Sequence, residues 1–220
     1  MRGSPKNVLD AGCGTGPIAR PLAARVDRVD AVDISKAMIE EGKRMAAGDH
    51  PNLRWIVGGM EDAPIEPPYA LIVAGQSLHW MEWSIVMPRF SMSLAPGAYL
   101  AIVGLKVAST PWWNDLLASI QRYTTNKEYQ PYNLVKELQM RGMFDKMGEK
   151  DTQWVPFTQT VEEYIEAIHS MNGFSRQRML PHEAGAFDEE ARRIVSSFTD
   201  TDMLELQVSA EVIWGLPRAA

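Results

Sequence analysis

The feature that most constrains the fold is a glycine-rich segment that lies between a short predicted strand and a helical pattern. Gly12, Gly14 and Gly16 follow the buried strand predicted at residues 6–11, and residues 17–25 carry apolar side chains at helical spacing. Glycine adopts positive φ without a steric penalty and lets a ligand approach the backbone closely. The order of strand, glycine loop and helix therefore predicts a loop that binds a nucleotide.

Short apolar runs alternate with helical patterns through the first half of the chain. Strands are predicted at residues 6–11, 29–32, 53–57, 69–74 and 98–105, and helices at residues 17–25, behind Ser35 and at residues 83–94. Strands that are nearly all apolar indicate a parallel sheet covered by helices on both faces. Because crossovers between parallel strands are right-handed, we expect a doubly wound α/β fold that binds its ligand at the carboxyl ends of the strands.

The second half of the chain shows a different pattern. Helical stripes of apolar residues lie within residues 113–120, 161–168 and 191–198, and a short strand is predicted at residues 153–159. Strict alternation of apolar and polar residues at 204–212 predicts a late, antiparallel strand. Residues 123–150 are polar with interspersed methionines, which favours a helical cap or an insertion. We predict one domain over residues 1–220, with this cap or insertion at about residues 110–150.

Charge and cysteine content exclude several classes of function. The net charge is −6 and acidic and basic residues are interspersed, so no basic surface for a nucleic-acid backbone is expected. Cys13 is the only cysteine in the sequence, so the chain forms no internal disulfide. The four histidines are scattered without the paired spacing of a metal site. No apolar run reaches the roughly 20 residues that cross a bilayer, and we expect a location in the reducing cytoplasm.

A carboxylate beyond the glycine loop indicates a nucleoside ligand. Asp33 closes the next predicted strand, about 17 residues after Gly16, where a carboxylate can accept hydrogen bonds from both ribose hydroxyls. Two departures from the dinucleotide motif Gly-x-Gly-x-x-Gly argue against a dinucleotide ligand. The third glycine, Gly16, comes one residue early, so Pro17 occupies the position of the third glycine in that motif. The carboxylate of Asp10 would also repel a pyrophosphate. Asp10 instead suits a cation such as a methionyl ammonium or a sulfonium. The alternative is a plain strand-to-helix turn, with Asp10 and Asp33 as helix caps.

These segments resemble the motifs of class I S-adenosylmethionine-dependent methyltransferases, in the small-molecule branch called methyltransferase type 11. The run Asp-Ala-Gly-Cys-Gly-Thr-Gly at residues 10–16 resembles motif I of these enzymes. Residues 29–35 resemble the acidic motif that follows motif I, and residues 58–64 resemble the loop on the adenine side of the cofactor. Residues 74–80 are similar to the segment after the fourth strand, and residues 94–100 to the turn before the fifth strand. The likeness extends over nearly the whole chain.

The resemblance implies a Rossmann-like, doubly wound sheet of seven strands, mostly parallel with the last strand antiparallel, plus a small helical cap. It implies S-adenosylmethionine as cofactor, S-adenosylhomocysteine as product, and transfer of a methyl group to a small-molecule acceptor by in-line displacement. It assigns cofactor binding to Asp10, Gly12, Cys13, Gly14, Gly16, Asp33, Ile34, Met38, Gly59, Met60, Glu61, Ala74 and Gln76. Gly59 stands where relatives often carry an acid, so adenine is expected to rely on backbone groups and on packing against Met60 or Ile34.

His79 is the candidate general base. It follows the fourth predicted strand on the ligand side of the sheet, beside Trp80. The alternative is a histidine that hydrogen-bonds to loop backbone and only shapes the pocket. For the chain as a whole, two alternatives stay open: a protein that binds S-adenosylmethionine or S-adenosylhomocysteine without catalysis, and a nicotinamide-dependent oxidoreductase. No motif identifies the acceptor or the oligomeric state.

Overall fold

A computed structural model describes residues 5–127, 132–170 and 174–219 of the chain. Contacts divide the chain into two compact units. The first unit comprises residues 1–105, 132–152 and 210–220, and the second comprises residues 106–131 and 153–209. No helix in the described ranges is both long enough and apolar enough to span a bilayer.

The described strands belong to one eight-stranded sheet. They are β1 (Asn7–Ala11), β2 (Arg28–Asp33), β3 (Leu53–Val57), β4 (Tyr69–Gly75), β5 (Leu94–Val107), β6 (Phe144–Asp151), β7 (Val155–Thr160) and β8 (Met203–Pro217). Their order is β3-β2-β1-β4-β5-β8-β6, and β7 pairs with β8 off this path. β1 is parallel to β2 and β4, β2 to β3, and β4 to β5, whereas β8 is antiparallel to β6 and β7.

The order of the strands reverses at β1. From β1 the chain builds outward through β2 and β3 on one side, and through β4 and β5 on the other. Open α/β sheets bind ligands at such a switch point, in the crevice beyond the carboxyl ends of the strands. The predicted doubly wound α/β fold is therefore confirmed, and its topology places the expected crevice directly after β1.

Helices connect and cover the strands. They are α1 (Ala19–Ala23), α2 (Lys36–Arg44), α3 (Trp83–Ser93), α4 (Trp113–Tyr123), α5 (Leu134–Met140), α6 (Val161–His169) and α7 (Pro181–Ser196), with a 3-10 turn at Leu78–Trp80. Ser35 caps α2, because its side chain accepts a hydrogen bond from the Met38 N–H. Thr160 and Glu163 form a reciprocal capping box at the start of α6.

Both faces of the central strands in the first unit are buried. Along β1, Leu9 and Ala11 belong to one apolar core, and Val8 belongs to another. The first core also contains Phe90 of α3, and the second contains Ala19 of α1. Because successive side chains of a strand point to opposite faces, a strand with a core on each side is buried on both faces, and all five residues of β1 are buried.

The second unit has an apolar core of its own. Helices α4, α6 and α7 contribute Leu116, Ile165 and Phe187, all of them fully buried. β7 pairs with residues 203–208 of β8, and Leu206 of that segment packs into the same core. Apolar residues at helical spacing in the sequence thus correspond to the buried faces of these helices.

A buried charged cluster ties β2 to its neighbours. Asp30 is 0% exposed. Its carboxylate accepts hydrogen bonds from the Arg54 guanidinium, with Nε–Oδ1 2.9 Å and Nη2–Oδ2 3.2 Å, and from the Tyr69 hydroxyl. Arg28 Nε lies 3.2 Å from the same carboxylate. Burial, followed by the hydrogen bond to Asp30, raises the pKa of Tyr69, so the phenol stays protonated and remains a donor.

Two expectations from the sequence are corrected. The sheet has eight strands rather than seven. Residues Phe144–Asp151 were expected within a helical cap, but they form β6, which pairs with β8. Only Phe144 of β6 is buried, so this strand at the end of the sheet lacks the apolar alternation that identifies a strand. α5 lies within the predicted cap as a helix, and residues 128–131 of that cap lie outside the described residues.

Candidate functional site

The glycine loop leaves β1 with three residues in the left-handed region. Gly12, Gly14 and Gly16 have φ of 70°, 56° and 76°. The backbone N–H groups of Gly12 and Cys13 both donate to the Val32 carbonyl at 2.9 Å. The loop is therefore held against the end of β2, and residues with side chains would be strained at these three positions.

Asp33 joins the tip of β2 to the glycine loop. Its Oδ2 accepts a hydrogen bond from the Gly14 N–H at 2.8 Å, and its Oδ1 accepts one from the Ser35 N–H at 2.8 Å. Each carboxylate oxygen has a second lone pair, and the side chain is only partly buried. Asp33 can therefore shape the loop and the start of α2 and still accept hydrogen bonds from a ligand.

Gly12 allows a close approach between β1 and the segment after β4. The Ser77 hydroxyl donates to the Ala11 carbonyl at 2.5 Å. A Cβ built on Gly12 would lie 2.4 Å from Ser77 Cβ and 2.9 Å from its Oγ. The lack of a side chain at Gly12 thus fixes how close these two ligand-side segments lie.

Replacing Gly12 by alanine is expected to destabilise the fold more than the same change at Gly97. Both glycines have positive φ, 70° and 77°, where an alanine costs about 1 kcal/mol. A Cβ on Gly97 meets nothing within 4 Å, so Gly97→Ala isolates this backbone cost. We expect Gly12→Ala to cost about 1 kcal/mol more, because Ser77 must shift. Urea unfolding of both variants measures the difference, and equal losses would show that Ser77 moves aside freely.

A first cavity of about 360 Å³ lies at the carboxyl ends of β1 to β4. It is lined by Gly12, Gly14, Val32, Asp33, Ile34, Met38, Gly58, Gly59, Met60, Glu61, Gln76, Ser77, Trp80 and Met81. The glycine loop and Asp33 thus border one hollow, as the sequence predicted. We call this hollow the donor cavity.

A second cavity of about 320 Å³ adjoins the first. It is lined by Ala74, Gln76, Ser77, Leu78, His79, Ile102, Val103, Gly104, Tyr132, Asn133, Leu134, Val135, Glu211 and Ile213. Gln76 and Ser77 line both cavities. Gln76 has φ of 50°, a strained value for a residue with a side chain. We call this second hollow the acceptor cavity.

His79 lies on the 3-10 turn after β4 and lines the acceptor cavity. Its ring centroid is 5.0 Å from that of Trp80. Although the residue as a whole is exposed, desolvation of the imidazole lowers its pKa, so the neutral ring is favoured at pH 7. Within the described residues the imidazole makes no hydrogen bond, so the alternative of a ring bound to loop backbone is not observed.

Buried acids below the loop alter the local electrostatics. Asp10 is 1% exposed. The pKa of Asp10 is raised to about 7, mainly by burial. A hydrogen bond from the Ala19 backbone N–H lowers this pKa, and the nearby charge of Asp33 raises it further. Burial, together with the charges of Asp10 and Asp33, raises the pKa of the Cys13 thiol, which therefore stays protonated. In the part of the chain that the structure describes, no group of potential ligands forms a metal site.

The structure brings most of the predicted cofactor residues to one place. The donor cavity includes Gly12, Gly14, Asp33, Ile34, Met38, Gly59, Met60, Glu61 and Gln76. Ala74 lines the acceptor cavity instead. Asp10, Cys13 and Gly16 line neither: the first two are buried below the loop, and the open face of Gly16 is covered by Trp55, whose ring carbon Cη2 would lie 2.5 Å from an added Cβ. Their predicted contact with a cofactor gains no support from this geometry.

Sequence reasoning missed several residues that line the donor cavity. They are Val32, Gly58, Ser77, Trp80 and Met81. Ser77, Trp80 and Met81 lie on or next to the 3-10 turn, which has no apolar period to identify it. The available signal was position, since Val32 ends a predicted parallel strand, Gly58 directly follows one, and the other three lie within seven residues of the end of the fourth predicted strand.

Comparison with known proteins supports the resemblance to methyltransferases. A model of the methyltransferase domain matches residues 8–97. The chain is 37% identical over 86 residues to malonyl-[acyl-carrier protein] O-methyltransferase 1 of Ilyobacter polytropus, a match that covers 37% of this chain and 32% of that protein. It is 35% identical over 118 residues to trans-aconitate 2-methyltransferase of Pseudomonas aeruginosa, covering 50% and 38%. The chain thus matches about a third of the length of these curated relatives.

A solved structure shows the same fold over almost the whole chain. It is described as a type II methyltransferase from Anaeromyxobacter dehalogenans and superimposes with a TM-score of 0.64 at 21% identity, covering 97% of this chain and 92% of that one. At this identity the likeness concerns the fold alone. The resemblance stated from the motifs is confirmed: the domain that matches residues 8–97 and the curated relatives are methyltransferases, and they support a class I S-adenosylmethionine-dependent methyltransferase.

Proposed function

We propose that the protein transfers a methyl group from S-adenosylmethionine to a small-molecule acceptor and releases S-adenosylhomocysteine. The observation that carries this proposal is the position of Asp33. Its carboxylate lies at the tip of β2, bonded to the Gly14 N–H, and both residues border the same cavity. A nucleoside in this cavity has bare backbone on one side and a carboxylate for its ribose on the other.

The residues present fit the proposed cofactor. The floor of the donor cavity at Gly14 lacks a side chain, and a Cβ there would meet only the terminal methyl of Met38 at 3.4 Å, which leaves space for a ligand next to the backbone. Asp33 offers acceptors for ribose hydroxyls, and the charge on such an acceptor strengthens these hydrogen bonds. Ile34 is 79% exposed and Met38 44% exposed, and both line the cavity, where they can pack against an adenine ring.

We assign one of the two adjacent cavities to the methyl donor and the other to the methyl acceptor. When bound, the cofactor supplies an activated methyl group on sulfur. The protein then has to align the two reactants and exclude water, which can contribute roughly 7–11 kcal/mol. Because Gln76 and Ser77 line both cavities, we place the methyl group at this junction and the acceptor beside His79. His79, which is favoured in its neutral form, takes the proton of an acceptor that must lose one.

Replacement of Asp33 by alanine is expected to weaken binding of S-adenosylhomocysteine by about 1.5–3 kcal/mol, because charge-assisted hydrogen bonds to the ribose are lost. Calorimetry on the purified variant measures this loss. Asp115→Ala is the matched control, since Asp115 is an exposed acid on α4 that lines neither cavity. Unchanged affinity in Asp33→Ala would contradict the ribose role and, with it, the proposed function.

The purified protein also allows a test of the two alternatives, a nicotinamide-dependent oxidoreductase and a binding protein without catalysis. Thermal shifts with S-adenosylhomocysteine and with NAD, tested separately, identify the cofactor, because a ligand stabilises the fold that binds it. Stabilisation by NAD alone would reverse the proposal in favour of a nicotinamide oxidoreductase. Transfer of a labelled methyl group from S-adenosylmethionine to any acceptor excludes the second alternative, a binding protein without catalysis.

Two further predictions from the sequence concern the setting of the reaction. A single cysteine and a net charge of −6 favour a reducing cytoplasm and a small-molecule partner rather than a nucleic acid. The names of the curated relatives include a malonyl group on a carrier protein and trans-aconitate, neither of which is a nucleic acid. These names support a small-molecule acceptor for this chain as well.

A further inference from the structure

The donor cavity extends along the carboxyl ends of four adjacent strands. Gly59 and Met60 follow β3 at one end of it, and Trp80 and Met81 lie beyond β4 at the other end. Neighbouring strands are about 4.8 Å apart, so the end beyond β4 lies roughly 10 Å from the tip of β2, where Asp33 is placed for the ribose. The junction with the acceptor cavity, where the proposed function places the methyl group, is at this β4 end.

Trp80 reaches this end of the cavity from the 3-10 turn. Its backbone N–H donates a hydrogen bond to the Ser77 carbonyl at 2.9 Å, which closes the turn. Because residues three apart in such a turn lie one above the other, Trp80 stands over Ser77, which lines both cavities. Trp80 is 58% exposed, so its indole ring is not enclosed in the apolar core and can contact a ligand.

The rings of Trp80 and His79 lie on the two sides of the junction. Trp80 lines the donor cavity and His79 lines the acceptor cavity. Their ring centroids are 5.0 Å apart, and the ring planes are inclined by 42°. Desolvation lowers the pKa of His79, so its neutral ring adds no positive charge beside Trp80 at pH 7. A ligand group at the junction is therefore within reach of the indole ring.

The lining of the donor cavity suits a ligand with a positive charge. Its charged residues are the acids Asp33 and Glu61, and no lysine or arginine of the described ranges lines it. Asp33 stands at the ribose end, and Glu61 Oε1 accepts a hydrogen bond from the Glu82 N–H at 2.9 Å. The face of an indole ring is negative and attracts a cation within about 6 Å of the ring centre, more strongly than the ring of tyrosine or phenylalanine.

We infer that the indole ring of Trp80 binds the positively charged sulfonium of S-adenosylmethionine and distinguishes it from the neutral thioether of S-adenosylhomocysteine. This inference rests on the proposed function and gives a role to a residue outside the motif assignment. When the methyl carbon bonds to the acceptor, the electron pair of the broken bond between carbon and sulfur stays on sulfur, which becomes neutral. The contact with Trp80 weakens at that point, so the site favours the cofactor over the spent product.

The inference is tested by calorimetry with S-adenosylhomocysteine and with sinefungin, an analogue that carries a cationic amine where the cofactor has its methylated sulfur. Both ligands share the adenosine and amino-acid parts, so the ratio of their Kd values reports on the added cationic group. We expect Trp80→Leu to reduce the wild-type preference for sinefungin by about 3- to 30-fold. Trp80→Phe should reduce it less, because the phenyl ring keeps a negative face. Trp154→Leu is the matched control, since Trp154 is 51% exposed and lines neither cavity.

A second measurement leaves the side-chain shape unchanged. Incorporation of 5-fluorotryptophan keeps the indole ring in place but withdraws electrons from its face, which weakens its attraction for a cation. The labelled wild type should therefore show a smaller preference for sinefungin than the unlabelled wild type. Labelled and unlabelled Trp80→Phe should show the same preference, because the other tryptophans do not contact the sulfonium.

The outcomes separate this inference from the proposed function. If neither ligand binds to the wild type, the proposed function fails and the inference fails with it. If both ligands bind and Trp80→Leu weakens them by the same factor, Trp80 only packs against the cofactor, and the inference is overturned while the proposed function stands. An unchanged preference in the fluorinated wild type would overturn the inference in the same way.

Discussion

Replacement of Asp30 by alanine is expected to lower the free energy of unfolding by about 3 kcal/mol. The carboxylate is fully buried and holds the Arg54 guanidinium and the Tyr69 hydroxyl, so its removal leaves both donors without their acceptor. Arg54 is about one-third exposed and can turn to water, which places the loss at the lower end for a buried ion pair. Thermal or urea unfolding followed by circular dichroism measures it, with an expected decrease in Tm of roughly 6–12 °C.

Glu66 provides the matched control for Asp30. It pairs with the same two arginines, Arg28 and Arg54, but its side chain is 58% exposed. A surface ion pair contributes about 0–1 kcal/mol, so Glu66→Ala should cost no more than that. If both substitutions had equal effects, burial of the Asp30 carboxylate would not be the cause of its contribution.

Replacement of His79 by alanine is expected to lower kcat by about 10²–10⁴-fold, the usual contribution of a positioned general base. Affinity for S-adenosylhomocysteine should stay the same, because His79 lines the acceptor cavity and not the donor cavity. The measurement is steady-state transfer of a labelled methyl group to an acceptor found active with the wild type, together with calorimetry of S-adenosylhomocysteine.

The pH dependence distinguishes a base from a residue that only shapes the cavity. Desolvation lowers the pKa of His79, so its neutral form persists below the ordinary value for histidine, and activity should decline only below about pH 6.5. This decline in activity at low pH should be absent in His79→Ala. His182→Ala changes an exposed residue on α7 and should alter neither the rate nor the pH profile. If His79→Ala kept the same decline at low pH, His79 would have only a structural role.

Strands that are buried on both faces of the sheet could be predicted from the sequence. β4 carries a continuous apolar run because helices cover both faces of the sheet, and such a run is visible without a structure. The glycine loop and Asp33 could be predicted as partners because the ends of adjacent parallel strands meet at one edge. Their hydrogen bond through Gly14 is the direct result.

Some features show no hydrophobic periodicity in the sequence, or combine residues that are far apart in it. Such features could not be predicted. β6 is almost entirely exposed, so hydrophobic alternation did not mark it. The acceptor cavity combines residues after β4 with Asn133 and Glu211, which are far apart in the sequence and meet only once the sheet is assembled. The unpartnered Oδ2 of Asp10 likewise depends on helix α1 closing over the end of β1, a packing detail that motif spacing does not contain.

The two aspartates of β2 have separate consequences for substitution in this chain. Asp30 is fully buried and pairs with Arg28 and Arg54, three residues before Asp33, which is only partly buried at the tip of the same strand. Substitutions at the tip can alter ligand recognition while the inner aspartate keeps the strand in place. New nucleoside preferences are therefore accessible at position 34, whose exposed side chain lines the cavity, with little risk to folding. A change at Asp33 also removes the acceptors of the Gly14 and Ser35 N–H groups, so it alters the glycine loop as well as the ligand contacts.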